Sequence, residues 1–580
     1  MRYFLPAFLT GILVLSGCGQ RSGEGDASFH QLSDKFVKEY LEWRPQTGTS
    51  LGLHDYDGRI TDVGKTSLDR ELKRLKKYDL LLDQFDSSSL SARAFYDFRI
   101  LRSAIKNEIY SFEDLRTYEK NPMVYAGMID VNIYVKRNFA PLEERVKSII
   151  AIEQESPSIF AYARENLADT LAKPLVQTAI TIANGSASFL EHELVAAVSD
   201  VHNDSLMKVF AVANAAAVKE IKAYAEYLKK EKLPMADNNY AIGEENYRKM
   251  LLYEEGITLS PERILEIGKE QLTKEQEAFA AAAHIIDPNK KPVDVYHDMQ
   301  TEHPTAENLI PDVRKNMESI RQFLIDHHIV TMPSNVRVHV EETPQYARET
   351  STASMDTPGP FETKATEAYY YVTPVDPKWT AQQKEDWLRM FDYYTSDNIT
   401  IHEAYPGHYT QFLHLNASHA TKIEKIFGSY AFIEGWAHYS EQMMVDEGFG
   451  NDGDSVVYAK HRLAQSGDAL LRLCRLCVSI QMHCNGMSLK EGTKFFMDNW
   501  YQGEKPSYQE ALRGTFDPGY LFYTVGKLEI LKLRKDYKKQ EGENFSLQKF
   551  HDAVLDNGMA PVRMLRERLL KDPATWNDIL

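Results

Sequence analysis

The stretch "IHEAYPGHYTQ", residues 401–411, carries the most specific pattern in the chain. His402 and Glu403 begin the H-E-x-x-H signature of a metal-binding helix, which would place its second histidine at position 406. The chain has Pro406 there, and the next histidine is His408. Six positions correspond to about 240° around a regular α-helix, so the two histidines would not share a metal on an unbroken helix.

Pro406 and Gly407 remove this difficulty. The proline ring clashes with the carbonyl of His402, and its missing N–H breaks a hydrogen bond of the helix. Glycine adopts dihedral angles that other residues reach only at a cost. The sequence therefore predicts a helix that is interrupted over residues 404–407, with His408 swung back toward His402.

A second segment, "YAFIEGWAHYSEQ" at residues 430–442, adds carboxylates. Glu434, His438 and Glu441 fall within about 60° on one face of a helix. Burying such a stripe in an apolar helix is costly without a cation or a hydrogen-bond partner. We expect Glu434 to be a third metal ligand, with His438 and Glu441 orienting the ligand histidines. The alternative, a solvated polar stripe, is disfavoured by Trp436 and the apolar residues around it.

Two imidazoles and one carboxylate are a zinc-binding set that leaves a position for water, whose pKa then falls to about 7. A free carboxylate beside the metal can take the proton of that water and pass it to the leaving amine. We expect one Zn²⁺ per chain, bound by His402, His408 and Glu434. Glu403 is the expected general base.

The third segment is "LRGTFDPGYLFYTVGKLEILKLR", residues 512–534. Peptide hydrolysis develops negative charge on the former carbonyl oxygen, and a fixed donor there contributes about 3 kcal/mol. Tyr523 is the first candidate donor and Tyr520 the second. Arg513 suits the terminal carboxylate of a substrate, and Lys527 is a further cation. The alternative for each tyrosine is a packed ring with a hydrogen-bonded tip.

These three segments, in this order, resemble the bacterial family catalogued as domain of unknown function (DUF) 885. Weaker similarity includes "WRPQTGTSLGLHDYDGRITD" at residues 43–62. That family is similar to the glutamate-zincin metallopeptidases of the thimet-oligopeptidase and carboxypeptidase Taq type. The resemblance implies a helical, deep-channel fold with the same three zinc ligands and the same base. This chain has Tyr409 where many relatives have a further histidine.

The rest of the chain predicts a mainly α fold. Amphipathic helical patterns cover residues 29–44, 66–110 and about 140–233. We expect a large, zincin-like, two-lobed body with a deep cleft. Its helical N-terminal region would cover residues 29–240 and its helical catalytic region residues 241–580.

A small sheet is expected beside the site, at about residues 335–375. "NVRVHVEE" and "EAYYYVTPVD" are β-like, and the loop "STASMDTPGPFE", residues 351–362, separates them. The strand around Tyr370 is expected to pair its backbone with an extended substrate.

The N-terminus predicts export and a lipid anchor. Residues 1–17 read as a signal peptide with a short apolar segment. "LSGC" resembles a bacterial lipobox, which implies cleavage before Cys18 and its lipidation. Residues 18–28 then form a polar, Gly/Ser-containing tether. We expect a lipid-anchored protein of the bacterial cell envelope; the alternative is an ordinary secretory signal with an incidental cysteine.

Composition excludes some partners. The 580 residues include 67 Lys and Arg against 84 Asp and Glu, a net charge of −17. This disfavours a nucleic-acid groove and a broad basic surface for anionic lipid, so the expected membrane contact is the N-terminal lipid alone.

An apolar helical segment contains three cysteines and a histidine: Cys474, Cys477, Cys484 and His483. We expect buried thiols there, with no metal site and no disulfide network.

The leading interpretation is a zinc-dependent peptidase that acts on peptides outside the inner membrane. A second is a non-catalytic surface lipoprotein that binds peptide or glycan in a zincin-like cleft. A third keeps the metal but hydrolyses a cell-wall amide. Only an enzyme requires Glu403, because no ligand role needs that residue. The sequence carries no signal for an oligomeric state.

Overall fold

The structure is a computed structural model that describes residues 22–344, 348 and 351–580. The predicted signal peptide, residues 1–17, and the predicted lipidation site Cys18 lie outside the described residues. The described part is mainly helical and contains one small three-stranded sheet, as the sequence predicts. None of its helices is both long enough and apolar enough to cross a membrane.

The N-terminal helices begin slightly earlier than expected. Helix α1 begins at Asp26, so the last three residues of the predicted tether, 18–28, are helical. The helical pattern of residues 66–110 is divided into two helices. The first twelve helices are α1 (Asp26–Trp43), α2 (Pro45–Ser50), α3 (Lys65–Asp83), α4 (Ala92–Glu113), α5 (Thr117–Lys120), α6 (Met123–Ala126), α7 (Ile133–Lys136), α8 (Leu142–Gln154), α9 (Ser156–Asn166), α10 (Lys173–Glu191), α11 (Glu193–Ala197) and α12 (Asp204–Tyr227).

The C-terminal part is again helical on both sides of the sheet. Its helices are α13 (Glu244–Glu255), α14 (Pro261–Ile286), α15 (Pro292–Met299), α16 (Leu309–Asp326), α17 (Ala381–Arg389), α18 (Tyr393–Glu403), α19 (His408–Ala417), α20 (Lys422–Ile426), α21 (Tyr430–Asp446), α22 (Ser455–Cys484), α23 (Leu489–Trp500), α24 (Glu504–Gly514), α25 (Phe522–Glu541), α26 (Leu547–Leu555) and α27 (Val562–Leu569). The strands are β1 (His339–Glu342), β2 (Ala353–Asp356) and β3 (Tyr369–Val372).

The order of the strands corrects two expectations. The sheet runs β1-β3-β2, with β1 parallel and β2 antiparallel to β3. The segment 351–362, predicted as a loop, therefore contains an edge strand. Because β3 is paired on both sides, its backbone cannot accept a substrate strand, and the predicted edge pairing at Tyr370 is wrong.

The hydrophobic core does not divide at residue 240. Helices α1, α3 and α4 share one core with the sheet, α18 and α21; Phe36, Ile401 and Trp436 are among its members. Buried residues between Tyr125 and Leu228 form a separate cluster. The first N-terminal helices therefore belong with the residues that build the site.

Helix α22 runs along the centre of this C-terminal part and packs against α14, α18 and α21. Its thiols are unpaired, and Cys474 and Cys477 are fully buried. Burial raises the pKa of Cys477 and of Cys484 to about 12, so both thiols stay protonated near neutral pH.

Candidate metal centre

The helix containing the first motif is broken where the sequence predicts. Helix α18 ends and α19 begins on either side of residues 404–407, which confirms the interruption. A Cβ atom on Gly407 would lie 1.8 Å from the carbonyl oxygen of His402, so only glycine fits. The indole N–H of Trp436 donates to the carbonyl of Pro406 at 2.8 Å and ties the break to α21.

The break brings three predicted ligands together. Nitrogen and oxygen atoms of His402, His408 and Glu434 all lie within 4.8 Å of one another. Oε2 of Glu434 is 3.5 Å from Nε2 of each histidine, and it has no hydrogen-bond partner among the described residues. A largely buried carboxylate oxygen thus lies between two imidazole nitrogens.

This arrangement fits a zinc ion in its chemistry and in the two spacings that Glu434 makes. Bonds of about 2.0–2.1 Å directed to the corners of a tetrahedron place neighbouring ligand atoms about 3.3 Å apart. The two contacts of Glu434 measure 3.5 Å. Within residues 22–344, 348 and 351–580, no second group of three His, Cys, Asp or Glu side chains converges in this way.

A buried carboxylate behind the cluster orients one ligand. Nδ1 of His402 lies 2.7 Å from Oε1 of Glu441, and Oε2 of Glu441 lies 3.0 Å from Nδ1 of His438. Burial raises the pKa of Glu441, but Arg472 and the two histidines hold it well below its usual value. Burial lowers the pKa of His402. The nearby carboxylates of Glu434 and Glu441 have the larger effect and raise this pKa to about 10. Glu441 thus contacts the predicted ligand His402 directly, whereas His438 makes its hydrogen bond to Glu441.

Arg472 is a supporting residue that the sequence analysis missed. Its guanidinium lies 3.7 Å from Glu441 and 3.1 Å from Asp468. Asn398 in turn donates to Asp468 at 2.6 Å. Arg472 comes 31 positions after Glu441 along the chain, on α22, so no local spacing links it to the motifs.

Two glycines set the position of α21, the helix of Glu434. A Cβ on Gly526 of α25 would lie 1.8 Å from the carbonyl oxygen of Ala431, and a Cβ on Gly435 would lie 2.5 Å from the backbone of Gly526. The two helices therefore touch backbone to backbone. This contact brings Tyr523, near the start of α25, to the side of the cluster.

Tyr523 is the tyrosine of the third segment that reaches the site. Its half-buried ring is stacked near the ring of His402, with centroids 6.4 Å apart and planes 18° apart. The guanidinium groups of Arg475 and Arg513 lie 5.1 and 5.8 Å from its centroid. A phenol in this place is available as a hydrogen-bond donor beside the histidines.

Arg513 is held by groups of the protein itself. Two of its nitrogens lie 2.9 and 2.8 Å from Oδ2 of Asp517, and Nη2 is 3.3 Å from the hydroxyl of Tyr430. The ring of Tyr430 is 5.8 Å from that of Tyr523, so Arg513 lies close to the site. A substrate carboxylate would have to share Arg513 with Asp517.

Three other predicted substrate contacts are inside the protein. Tyr520 is fully buried, and Lys527 is 5% exposed. Burial lowers the pKa of Lys527, and its charge helps to lower that of His438. Tyr370 is 1% exposed, and its hydroxyl lies 3.3 Å from that of Thr400. These side chains support the site from within and are not presented to a substrate.

Glu403 connects the cluster to the sheet. Its Oε2 accepts a hydrogen bond from the backbone N–H of Met355 at 2.9 Å. Met355 lies in the edge strand β2, and its N–H points away from β3, toward the unpaired side of β2. Glu403 is not one of the three converging side chains, so it remains free for a role other than ligation.

Two solved structures share this fold over nearly their whole length. One, from Shewanella oneidensis, is described as "a putative lipoprotein of unknown function"; it has a TM-score of 0.78, 25% identity, and covers 94% of this chain and 100% of its own. The other, "the putative lipoprotein from Colwellia psychrerythraea", has a TM-score of 0.77, 18% identity, and covers 95% and 99%. No curated protein matches the chain.

A family profile also matches the sequence directly. The profile is described as "Bacterial protein of unknown function (DUF885)", and it matches residues 45–569. The matched range includes all three motifs and the three helices of the candidate metal centre, α18, α19 and α21. The chain therefore belongs to the DUF885 family.

Proposed function

We propose that the protein is a zinc-dependent peptidase that hydrolyses peptides outside the inner membrane. The observation that carries the proposal is Oε2 of Glu434, which lies 3.5 Å from Nε2 of both His402 and His408 with no other partner. A buried acceptor in that position calls for a cation. The resemblance of the motifs to those of the glutamate zincins, with their two-lobed body and deep cleft, supports the same assignment.

The residues around the cluster fit the steps of amide hydrolysis. Zinc, when bound, polarises the substrate carbonyl and lowers the pKa of water to about 7. Met355 holds Oε2 of Glu403, which leaves Oε1 to take the proton of the attacking water and return it to the departing amine. The hydroxyl of Tyr523 donates to the carbonyl oxygen as that oxygen becomes negative.

The outer edge of β2 suits an extended peptide. Its backbone is unpaired with any described strand on the side that faces Glu403. A peptide that adds to this edge gains backbone hydrogen bonds, and its scissile bond passes beside the base. Edge pairing, first expected at the strand of Tyr370, is thus transferred to β2, at backbone groups other than the N–H of Met355, which Glu403 already holds.

The lipobox at Cys18 supports a location in the cell envelope. The titles of the two structural relatives each contain the words "putative lipoprotein", in agreement with that sequence signal. We propose that the mature protein is attached to a membrane by lipid on Cys18 and meets its substrates there.

The test combines metal analysis with digestion. The full-length protein is purified from detergent-solubilised membranes, and its zinc is counted by mass spectrometry. A peptide library is then incubated with the parent protein, with chelator-treated protein, and with treated protein resupplied with zinc. We expect about one zinc per chain and hydrolysis that disappears and returns with the metal.

A second arm uses Glu403→Gln, which keeps the shape of the side chain but cannot accept a proton. Hydrolysis should fall by a factor on the order of 10²–10⁴. Peptides that bind but are not cut by any form would favour the non-catalytic receptor. Cleavage of purified cell-wall fragments with no cleavage of library peptides would favour the cell-wall amidase.

A further inference from the structure

Helices α1 and α3 meet at the end of the molecule where the described chain begins. The N–H of Gly25, just before α1, donates to the carbonyl of Ser89 at 3.1 Å. The ring of Phe29 in α1 lies 6.0 Å from that of Phe85, two residues beyond the end of α3. The start of α1 and the last turn of α3 therefore lie side by side.

The last turns of α3 expose both leucine and lysine. Leu80 and Leu81 are large apolar side chains, yet they are 57% and 37% exposed. Lys73, Lys76 and Lys77 are exposed one to two turns earlier on the same helix. We call these five residues the α3 face. Neighbouring leucines and lysines are typical of a helix that lies in a membrane interface.

Two acidic groups near the α3 face are paired with basic side chains. Glu113 forms an ion pair with Lys76, and Asp83 forms one with Arg102. Lys73 and Lys77 form no ion pair among the described residues, so they carry the positive charge of the α3 face, although the exposed Asp86 lies beyond its end and the whole chain has a net charge of −17. Such a local surface is attracted to anionic phospholipid headgroups.

The short chain segment between Cys18 and Ser22 would keep this end of the molecule near the membrane. The hydroxyl of Ser22 donates to the carbonyl of Ser89 at 3.3 Å, so Ser22 is tied to the turn that follows α3. Only four residue steps separate Cys18 from Ser22. Four steps span at most about 14 Å. Lipid on Cys18 would therefore hold the end that carries Leu80 and Leu81 close to the bilayer.

We propose that the α3 face rests on the surface of an anionic phospholipid bilayer, with Leu80 and Leu81 entering the interface. This inference relies on the proposed lipidation of Cys18. It extends the membrane contact from the lipid alone to a defined surface of the folded protein. It also fixes the orientation of the enzyme on its membrane.

The test uses the full-length lipoprotein in vesicles of phosphatidylethanolamine and phosphatidylglycerol. An environment-sensitive fluorophore is attached to Leu81→Cys or to the matched control Val212→Cys. Val212 is 73% exposed and lies on α12, whose core cluster is separate. The parent protein gives the background from its own thiols. Lipids that carry a quencher on the acyl chain then report contact with the bilayer.

We expect several-fold stronger quenching at position 81 than at 212. A triple change, Lys73→Gln, Lys76→Gln and Lys77→Gln, should weaken the quenching at position 81. Mass spectrometry of the N-terminal peptide shows whether Cys18 is acylated. With Cys18 acylated, equal quenching at both positions, or none at position 81, overturns the docking face and leaves the anchor standing. An unmodified Cys18 overturns the anchor and the docking face together, while the peptidase test remains independent of both.

Discussion

Nδ1 of His402 lies 2.7 Å from Oε1 of Glu441, and this contact decides which nitrogen of His402 faces Glu434. A carboxylate only accepts, so Nδ1 carries the proton. Nε2 is then directed at Oε2 of Glu434, 3.5 Å away, where a cation would take the place of a proton. The orientation of this predicted ligand thus depends on a buried charge that lies behind it.

Glu441→Gln tests this dependence. The amide keeps the size of the side chain but is a weaker acceptor, so zinc affinity should fall by roughly 10- to 100-fold. Competition with a chromogenic chelator measures the affinity. The exposed Glu266→Gln is the matched control and should bind zinc like the parent. Unchanged affinity in Glu441→Gln would show that His402 needs no support from this residue.

Gly526→Ala tests the contact between α21 and α25. The added methyl group meets the backbone of Ala431, so the helices must separate. We expect a loss of about 1–3 kcal/mol in the free energy of unfolding, measured with urea, and a lower zinc content. Gly185→Ala in α10 is the control, because its new Cβ meets nothing within 4 Å. It should be stabilising by about 0.5–1 kcal/mol. Equal stability of the two variants would contradict the proposed contact.

Tyr523→Phe tests the proposed donor to the carbonyl oxygen. Loss of such a donor lowers kcat by about 10²–10³ and changes KM little. Tyr520→Phe is the natural comparison, because Tyr520 has the same chemistry but is fully buried. Its kcat should stay within a few-fold of the parent value. A similar kcat for both variants would remove Tyr523 from the mechanism.

Glu153 makes the protein more sensitive to alkaline pH. It is fully buried, neither carboxylate oxygen has a hydrogen-bond partner among the described residues, and burial raises its pKa to about 8. The folded state therefore favours the neutral acid. Its contribution to stability is complete below about pH 4.5 and is lost as the pH rises toward 8.

Glu153→Gln removes this titration. Its stability relative to the parent should increase from pH 4.5 to 8 by an amount on the order of a few kcal/mol. Thermal unfolding across this pH range measures the difference. The exposed neighbour Glu155→Gln should show no such trend. A difference that stays flat with pH would mean that Glu153 is not buried as a neutral acid.

The approach of His408 to His402 could be predicted because its cause is local. Pro406 and Gly407 break the helix wherever the rest of the chain lies, and the break alone moves His408 around to His402. The spacing of Glu434 and Glu441 on one helical face is likewise a property of adjacent turns.

The features that sequence reasoning missed depend on distant partners. Nothing near Tyr370 indicates that "ASMD", residues 353–356, would pair with its strand and make it central. Tyr520 and Tyr523 are three positions apart, and only the packing of α25 on α21 decides which one reaches the site. Gly435 and Gly526 are 91 positions apart, so their contact has no local signal.

The zinc content per chain of the parent, Glu434→Gln and Glu403→Gln decides whether these side chains bind zinc. All three proteins are purified in parallel, and folding is checked by circular dichroism. We expect about one zinc in the parent and in Glu403→Gln, and much less than one in Glu434→Gln. Equal zinc in Glu434→Gln and the parent, or no zinc in a folded parent supplied with the metal, would contradict the assignment of His402, His408 and Glu434 as a zinc site.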